Sequence, residues 1–169
     1  MSVIATLVII ALFVFLAGFL YDRVMRLRRQ VQQTWRQLEQ QRHARRDLVA
    51  RIATACSSGP ADARAVLAVE TARQNAAAAT GPADAARKEH LLGDAVGSLL
   101  TSSAIAMSAE VATLAKRLGE VELAYRQARQ VYNTSAQKYN RVIGAVPGNL
   151  IAGPLSLRPA ELFDPGLNA

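Results

Sequence analysis

Few residues in this chain are of types that do chemistry, and their spacing narrows what that chemistry is. Arg45 and Arg46, with Asp47 beside them, fall within an apolar helical stripe that Arg42 also interrupts, and Glu122 and Arg129 flank a second stripe much later in the chain. Guanidinium and carboxylate groups carried on facing helices either form a partly buried pair that fixes helix register or line a charged ligand site. The expectation is the register pair, with Glu122 meeting Arg45 or Arg46; the ligand site is the alternative. Tyr132-Asn133 and Tyr139-Asn140 repeat seven residues apart. That spacing puts both rings on one helical face and both Asn side chains one step off it. The rings are expected in the core, and each Asn is expected to hydrogen-bond a neighbouring helix or the C-terminal tail.

Other chemistries find little support. A metal site needs several ligands on one surface, and His43, His90 and Cys56 fall on different helices with no ligand spacing. Nucleophilic catalysis needs a base within reach of a Ser or Cys, and no local pattern supplies one. The glycines sit at helix ends and form no phosphate-cradling loop. No catalytic constellation, cofactor or metal is expected, and so no enzyme.

The elements that position these residues follow from composition. The chain has 169 residues, is 51% hydrophobic and 20% charged, and carries a net charge of +7. It is too short for most multi-domain enzymes and too apolar to be disordered, and its single Cys makes no internal disulfide framework. Ala fills 32 positions while only 5% of residues are aromatic, which favours closely packed helices over a β-sandwich.

Residues 1–21 carry no charged side chain, and Val3 to Tyr21 is apolar except for Thr6 and Gly18. A helix of that length spans about 28 Å, close to a bilayer core of ~30 Å. A cleaved signal peptide would want a basic segment first and a shorter apolar stretch, so an uncleaved transmembrane anchor is expected. Arg23, Arg26, Arg28 and Arg29 follow the run directly, with nothing basic before it. Positive flanks stay cytoplasmic, which predicts an outward N-terminus and a cytoplasmic remainder. Residues 22–52 hold nine Arg and three acids, and residues 53–169 hold eleven Lys or Arg and ten acids. The basic excess therefore abuts the membrane, where it fits a topology signal or anionic headgroups. Nucleic-acid binding is not expected, because no aromatic interleaving or binding motif accompanies the charge.

From Tyr21 to Ala55 there is no Gly or Pro, so the membrane helix should continue unbroken. Val24, Leu27, Val31, Trp35, Leu38, Leu48, Val49 and Ile52 form its apolar stripe. Gly59-Pro60-Ala61-Asp62-Ala63 and Gly81-Pro82-Ala83-Asp84-Ala85 are near-identical helix-start signals. They predict short helices over 60–79 and 82–100, the second with a stripe of Leu91, Leu92, Ala95, Val96, Leu99 and Leu100. Thr101-Ser102-Ser103 breaks the chain before the most periodic segment. There Val111, Leu114, Leu118, Val121, Tyr125, Ala128, Tyr132, Ser135, Tyr139, Val142 and Val146 alternate steps of three and four. That is the seam of a long helix lying against another, in the manner of a coiled coil. Pairing it antiparallel to the first helix, with Val24 opposite Val146, sets Arg45 opposite Tyr125, one turn from Glu122. Pro147 and Gly148 should end the helix and leave an irregular tail.

Several of these residues resemble the LemA family of membrane-anchored bacterial helical proteins. The resemblance rests on Val31-x-x-x-Trp35-x-x-Leu38, Arg45-Arg46-Asp47-Leu48-Val49, Leu118-x-Glu120-x-Glu122, Ala128-Arg129-x-x-Tyr132-Asn133, Tyr139-Asn140-x-x-Ile143 and Pro147-x-Asn149-Leu150-Ile151-Ala152, then Arg158-Pro159 and Phe163-Asp164. Residues 53–110 match only in helical character. Leu48-Val49-Ala50-Arg51 stands where the family commonly has Leu-Ile-Pro-Asn, and Ser103 stands near the place of a Tyr-Pro turn, so no role is carried over at those positions. The resemblance implies a membrane-anchored, cytoplasmic α-helical protein and implies no activity.

The expected architecture is all-α, with a membrane anchor over 1–21, a helical bundle over 22–146, and a tail over 147–169 packed near the membrane end. The expected role is a single-pass membrane-anchored interaction or scaffold protein, the alternative being a ligand-binding or enzymatic bundle using Arg45, Arg46 and Glu122. Expected partners are the bilayer and its anionic headgroups, an unidentified membrane or cytoplasmic protein, or a second copy of the chain.

Overall fold

The unbroken run without Gly or Pro does form one helix. In a computed structural model that describes residues 2–57, 63–101 and 109–164, α1 covers Ser2–Ser57. At 56 residues it is about 84 Å long. Its N-terminal stretch is apolar and uncovered: Ile4, Leu7 and Phe15 are 70%, 61% and 73% exposed. It is long and apolar enough there to cross a membrane. The other helices are α2 (Ala63–Ala77), α3 (Pro82–Thr101), α4 (Ala109–Gly144) and α5 (Gly148–Ala152), and no strand occurs among the described residues.

α4 packs along α1, and the side-chain pairs show it running antiparallel. Trp35 lies 5.2 Å from Tyr132 between ring centroids, and Val24 and Leu27 share a core with Tyr139 and Ile143. At the far end Val49, Ile52 and Ala53 meet Leu114 and Leu118. The seam residues of α4 from Val111 to Val142 are buried or half-buried. α2 and α3 form a hairpin that covers only the half of this pair farther from the N-terminus. There Val69, Ala76, Leu92, Val96 and Leu99 complete a four-helix core. Each fully buried Leu or Val in it contributes about 1.5–3 kcal/mol of transfer free energy.

Several expectations shift in detail. α4 ends at Gly144, two residues before the end of its seam, and Val146 is 76% exposed. The Pro147 ring blocks continuation of the helix, so the backbone turns before Val146 can join the seam. Leu91 is 62% exposed, because α3 turns the face of Glu89, Leu92, Val96 and Leu99 inward. α2 ends at Ala77 rather than 79. The start signal at Gly59 to Asp62 and the break at Ser102-Ser103 lie outside the described residues. The second start signal behaves as its chemistry dictates. Gly81 takes a left-handed φ of 81° and Pro82 opens α3. The Asp84 carboxylate accepts the Thr80 N–H at 2.9 Å and a Lys88 contact at 2.8 Å, and these contacts hold it below the usual carboxylate range.

The tail departs most from expectation. It contains α5, which packs on α4 and α1. Gly148 is required at the start of α5, since a Cβ there would collide with the Val142 carbonyl oxygen. Beyond α5 the chain does not stay at the end of the bundle next to the apolar run but turns back along it. Leu157 and Ala160 pack against the core around Val24 and Leu27, while Phe163, only 1% exposed, reaches the core of Leu38, Tyr125 and Tyr132. The reason is apolar area: below the α2–α3 hairpin the two long helices leave a groove, and the tail fills it.

Candidate functional site

The arginines that interrupt the α1 stripe converge on one carboxylate. Glu89 of α3 is fully buried in its side chain, and Arg42, Arg45 and Arg46 are nearly so. Arg42 Nε and Arg46 Nη1 both donate to Glu89 Oε1 at 3.1 Å, and Arg45 Nη1 donates to Oε2 at 2.6 Å. Positions 42, 45 and 46 share one helical face, so a single acid can receive all three. Two more carboxylates balance the charge. Arg42 Nη1 pairs with Glu39, and Arg45 Nε donates to Glu122 Oε1 at 2.5 Å. Three cations thus meet three anions across α1, α3 and α4. The Ala76 carbonyl, in the last turn of α2, accepts from Arg42 Nη2 at 3.1 Å and Arg46 Nη1 at 3.5 Å. Carbonyls in a helix's last turn lack intrahelical partners and carry the negative end of its dipole, so α1 caps α2.

Packing around the cluster removes it from water. The Arg45 guanidinium lies 5.4 Å from the Tyr125 ring centroid, and Arg42 lies 5.9 Å from both Trp35 and Phe163. Gly93 leaves space for it: a Cβ there would come within 3.2 Å of Arg45 Nη2. Burial lowers the affinity of Arg45 for its proton, but Glu122 and Glu89 outweigh that and hold the group above its ordinary value. Burial, with Glu89 adding to it, pushes Tyr125 up to about 12.

The paired Asn residues do a different job. Asn133 accepts the Phe163 N–H at 2.8 Å and donates to the Phe163 carbonyl at 3.1 Å. Asn140 does the same for Ala160, at 2.7 and 2.8 Å. Each side-chain amide thus satisfies both backbone groups of one tail residue, as a strand neighbour would. Tyr132 adds a hydrogen bond from its hydroxyl to the Glu161 carbonyl at 2.6 Å. The spacing follows from geometry. Seven helical residues rise about 10.5 Å, and three residues of extended chain span about 10 Å, so Asn133 and Asn140 meet Phe163 and Ala160 on an antiparallel tail.

The structure brings Arg45, Arg46 and Glu122 into one network and places Asn133 and Asn140 on the tail. Arg46 bonds to Glu89 and not to Glu122. Asp47 and Arg129 do not join the network. Both are exposed, since helical spacing turns Asp47 away from the face of Arg45 and Arg129 away from the seam. Asp47 adds at a distance to the effect of Glu70, whose hydrogen bond chiefly raises the pKa of Arg73. Arg129 lies at the rim of a recess of about 490 Å³ that also borders Arg45, Glu122 and His90. Arg23, Arg26, Arg28 and Arg29 are exposed at the foot of the bundle. Glu89 and Glu39 complete the network without having stood out in the residue pattern. For Glu89 the signal existed, because it lies three and seven residues before Leu92 and Val96 and so occupies an apolar stripe position. Among the described residues no group of three or more His, Cys, Asp and Glu could hold a metal.

Residues 34–168 match the sequence model of the LemA family. The chain belongs to the LemA family. Comparison with curated proteins returns no match. In this LemA chain two of the segments that carried the resemblance fall on the two polar assemblies. Arg45-Arg46 supplies two of the three arginines of the charge cluster, and the Tyr-Asn pairs hold the tail.

Proposed function

We propose that this LemA protein is a single-pass, membrane-anchored scaffold that displays its helical bundle to the cytoplasm and acts by binding another protein rather than by catalysis. The observation that carries the proposal is α1 itself, which bears both the apolar N-terminal run and one side of the bundle seam without a break. Such a helix mounts the bundle rigidly at a bilayer, with no hinge between anchor and core. The closed state of the polar cluster supports a structural role for it. Its arginines and Glu89 are buried, and both Glu89 carboxylate oxygens are engaged by guanidinium groups. The Arg flank after the apolar run supports the cytoplasmic orientation.

Crosslinking in native membranes followed by mass spectrometry tests the scaffold reading. Reproducible crosslinks to a partner protein or to a second copy are expected, and repeated recovery of the chain alone would overturn it. A second reading draws on the recess beside Arg45 and Glu122, which could admit a small charged ligand. Under that reading, Arg126→Ala and Arg129→Ala at its rim would abolish ligand-induced thermal stabilisation in a metabolite screen and leave the unliganded melting temperature unchanged.

A further inference from the structure

The fold sorts charge by height above the membrane. The helical pair can be divided at Leu38 on α1 and Glu122 on α4. The distal portion, residues 39–122, contains ten Lys or Arg and ten Asp or Glu. The membrane-side portion, residues 22–38 and 123–169, contains ten Lys or Arg and only three acids. The whole +7 therefore belongs to the lower half. Read along the sequence, most of the excess lies within 22–52; the antiparallel return of α4 and the tail brings further cations to the same end. Arg141 lies in the last turn of α4 beside the core of Val24, Tyr139 and Ile143, and Arg158 sits between Leu157, which packs on that core, and Pro159.

We infer that the base of the bundle docks on an anionic lipid leaflet, through a basic ring of Arg23, Arg26, Arg28, Arg29, Arg141 and Arg158 and two apolar tips, Val146 and Leu155. The inference rests on the anchoring reading above and adds a second, electrostatic contact to it. All six arginines are exposed, Asp22 is the one acid of α1 beside them, and the next acid on that helix, Glu39, lies about 15 Å beyond Arg29. That distance exceeds the screening length of ~8–10 Å, so on α1 Asp22 alone offsets the ring, which keeps a net positive surface. Arg29 already folds back toward the N-terminal side, its Nε donating to the Met25 carbonyl at 3.3 Å. Val146 in the α4–α5 turn is 76% exposed and Leu155 in the loop after α5 is 37% exposed. Both flank α5, which touches α1, so the tips sit where the helix enters the bilayer. Apolar tips within a cationic ring match an interface of acyl chains under anionic headgroups.

The test uses the full-length chain carrying Cys56→Ala, with an environment-sensitive fluorophore on Val146→Cys or Leu155→Cys and a control on Lys116→Cys in the distal half. Each protein is reconstituted in phosphatidylcholine vesicles with and without phosphatidylglycerol, and quenching by nitroxide-labelled lipid is read. Both tips should be quenched and blue-shifted in the anionic vesicles, less so in neutral ones, and the control in neither. Arg141→Gln and Arg158→Gln should each lower the docked-to-undocked ratio about fivefold, the equivalent of about 1 kcal/mol per basic residue at an anionic surface. Equal quenching in both vesicle types would overturn anionic recognition. Absence of quenching in a chain that floats with the vesicles would overturn docking and leave the anchor intact. A chain that does not float would overturn both.

Discussion

The two polar assemblies in this bundle connect different partners by different physics. The cluster around Glu89 ties α3, α2 and α4 to α1 with three buried guanidiniums on one buried carboxylate, edged by the partly exposed Glu39 and Glu122. The Asn133 and Asn140 contacts tie a non-helical tail to α4 with neutral amides that are half-buried. A buried charge is costly to leave unpaired, so the cluster must be complete or the helices around it separate. A neutral amide pair costs less to break, and the tail it holds contributes through Phe163 and a few apolar contacts. The distal half is thus bound together by a cluster that must stay complete, while the tail is a strap laid on the lower half by contacts that can open one at a time.

The largest effect belongs to Glu89→Gln, which keeps shape but leaves three buried guanidiniums facing two carboxylates. A loss of about 3–5 kcal/mol is expected, read by chemical denaturation of the detergent-solubilised protein; a loss below that of the Asn variants would dissolve the contrast. Asn133→Ala and Asn140→Ala should each cost about 1–3 kcal/mol by leaving tail backbone groups unpaired. Hydrogen exchange should show protection falling first at residues 160–163, with α1 and α4 little changed. If the helices open together with the tail, the strap is part of the cooperative core.

Alkaline pH gives a smaller, graded effect. Tyr125 and Tyr132 are both pushed up to about 12 from 10, chiefly by burial. Their folded pKa lies above the unfolded one, so the stability they contribute is fully present below pH 10 and is lost as pH rises toward 12. At pH 11 the loss should be about 1.4 kcal/mol for each ring. Denaturation midpoints that stay level between pH 9 and 11 would contradict it. The smallest effect is expected for Glu122→Gln, whose side chain is 25% exposed. Arg45 keeps its Glu89 contact, and solvent screens the lost charge, so about 1 kcal/mol or less should be lost. A cost equal to that of Glu89→Gln would make the cluster a single ring rather than a buried centre with a half-solvated edge.

Much of this was legible along the chain because it depends on local order. Helical periodicity placed the seams, the absence of Gly and Pro predicted a single α1, and antiparallel register set Arg45 against Tyr125 and within reach of Glu122. The Tyr-Asn repeat showed that Asn133 and Asn140 lie just off the seam. What it could not show was their partner, since Phe163 and Ala160 sit 20 to 30 residues away on a segment with no periodicity. Glu89 was hidden for a related reason. An acid on an apolar stripe is unfavourable until its counter-charges are known, and those lie 43 to 47 residues earlier.

Local pattern alone settles the all-α class, the apolar N-terminal run, the helix boundaries to within a few residues and the antiparallel pairing of the long helices to within about one turn, since Val24 meets Tyr139 and Ile143 rather than Val146. These are consequences of backbone propensity and of burying one face per helix. The packing between segments is what makes three arginines share one glutamate, carries the tail back to the middle of the bundle, and gathers the net positive charge entirely in its lower half. Each of those depends on which distant surfaces meet, and charge neutralisation and groove filling are settled between segments, not within them.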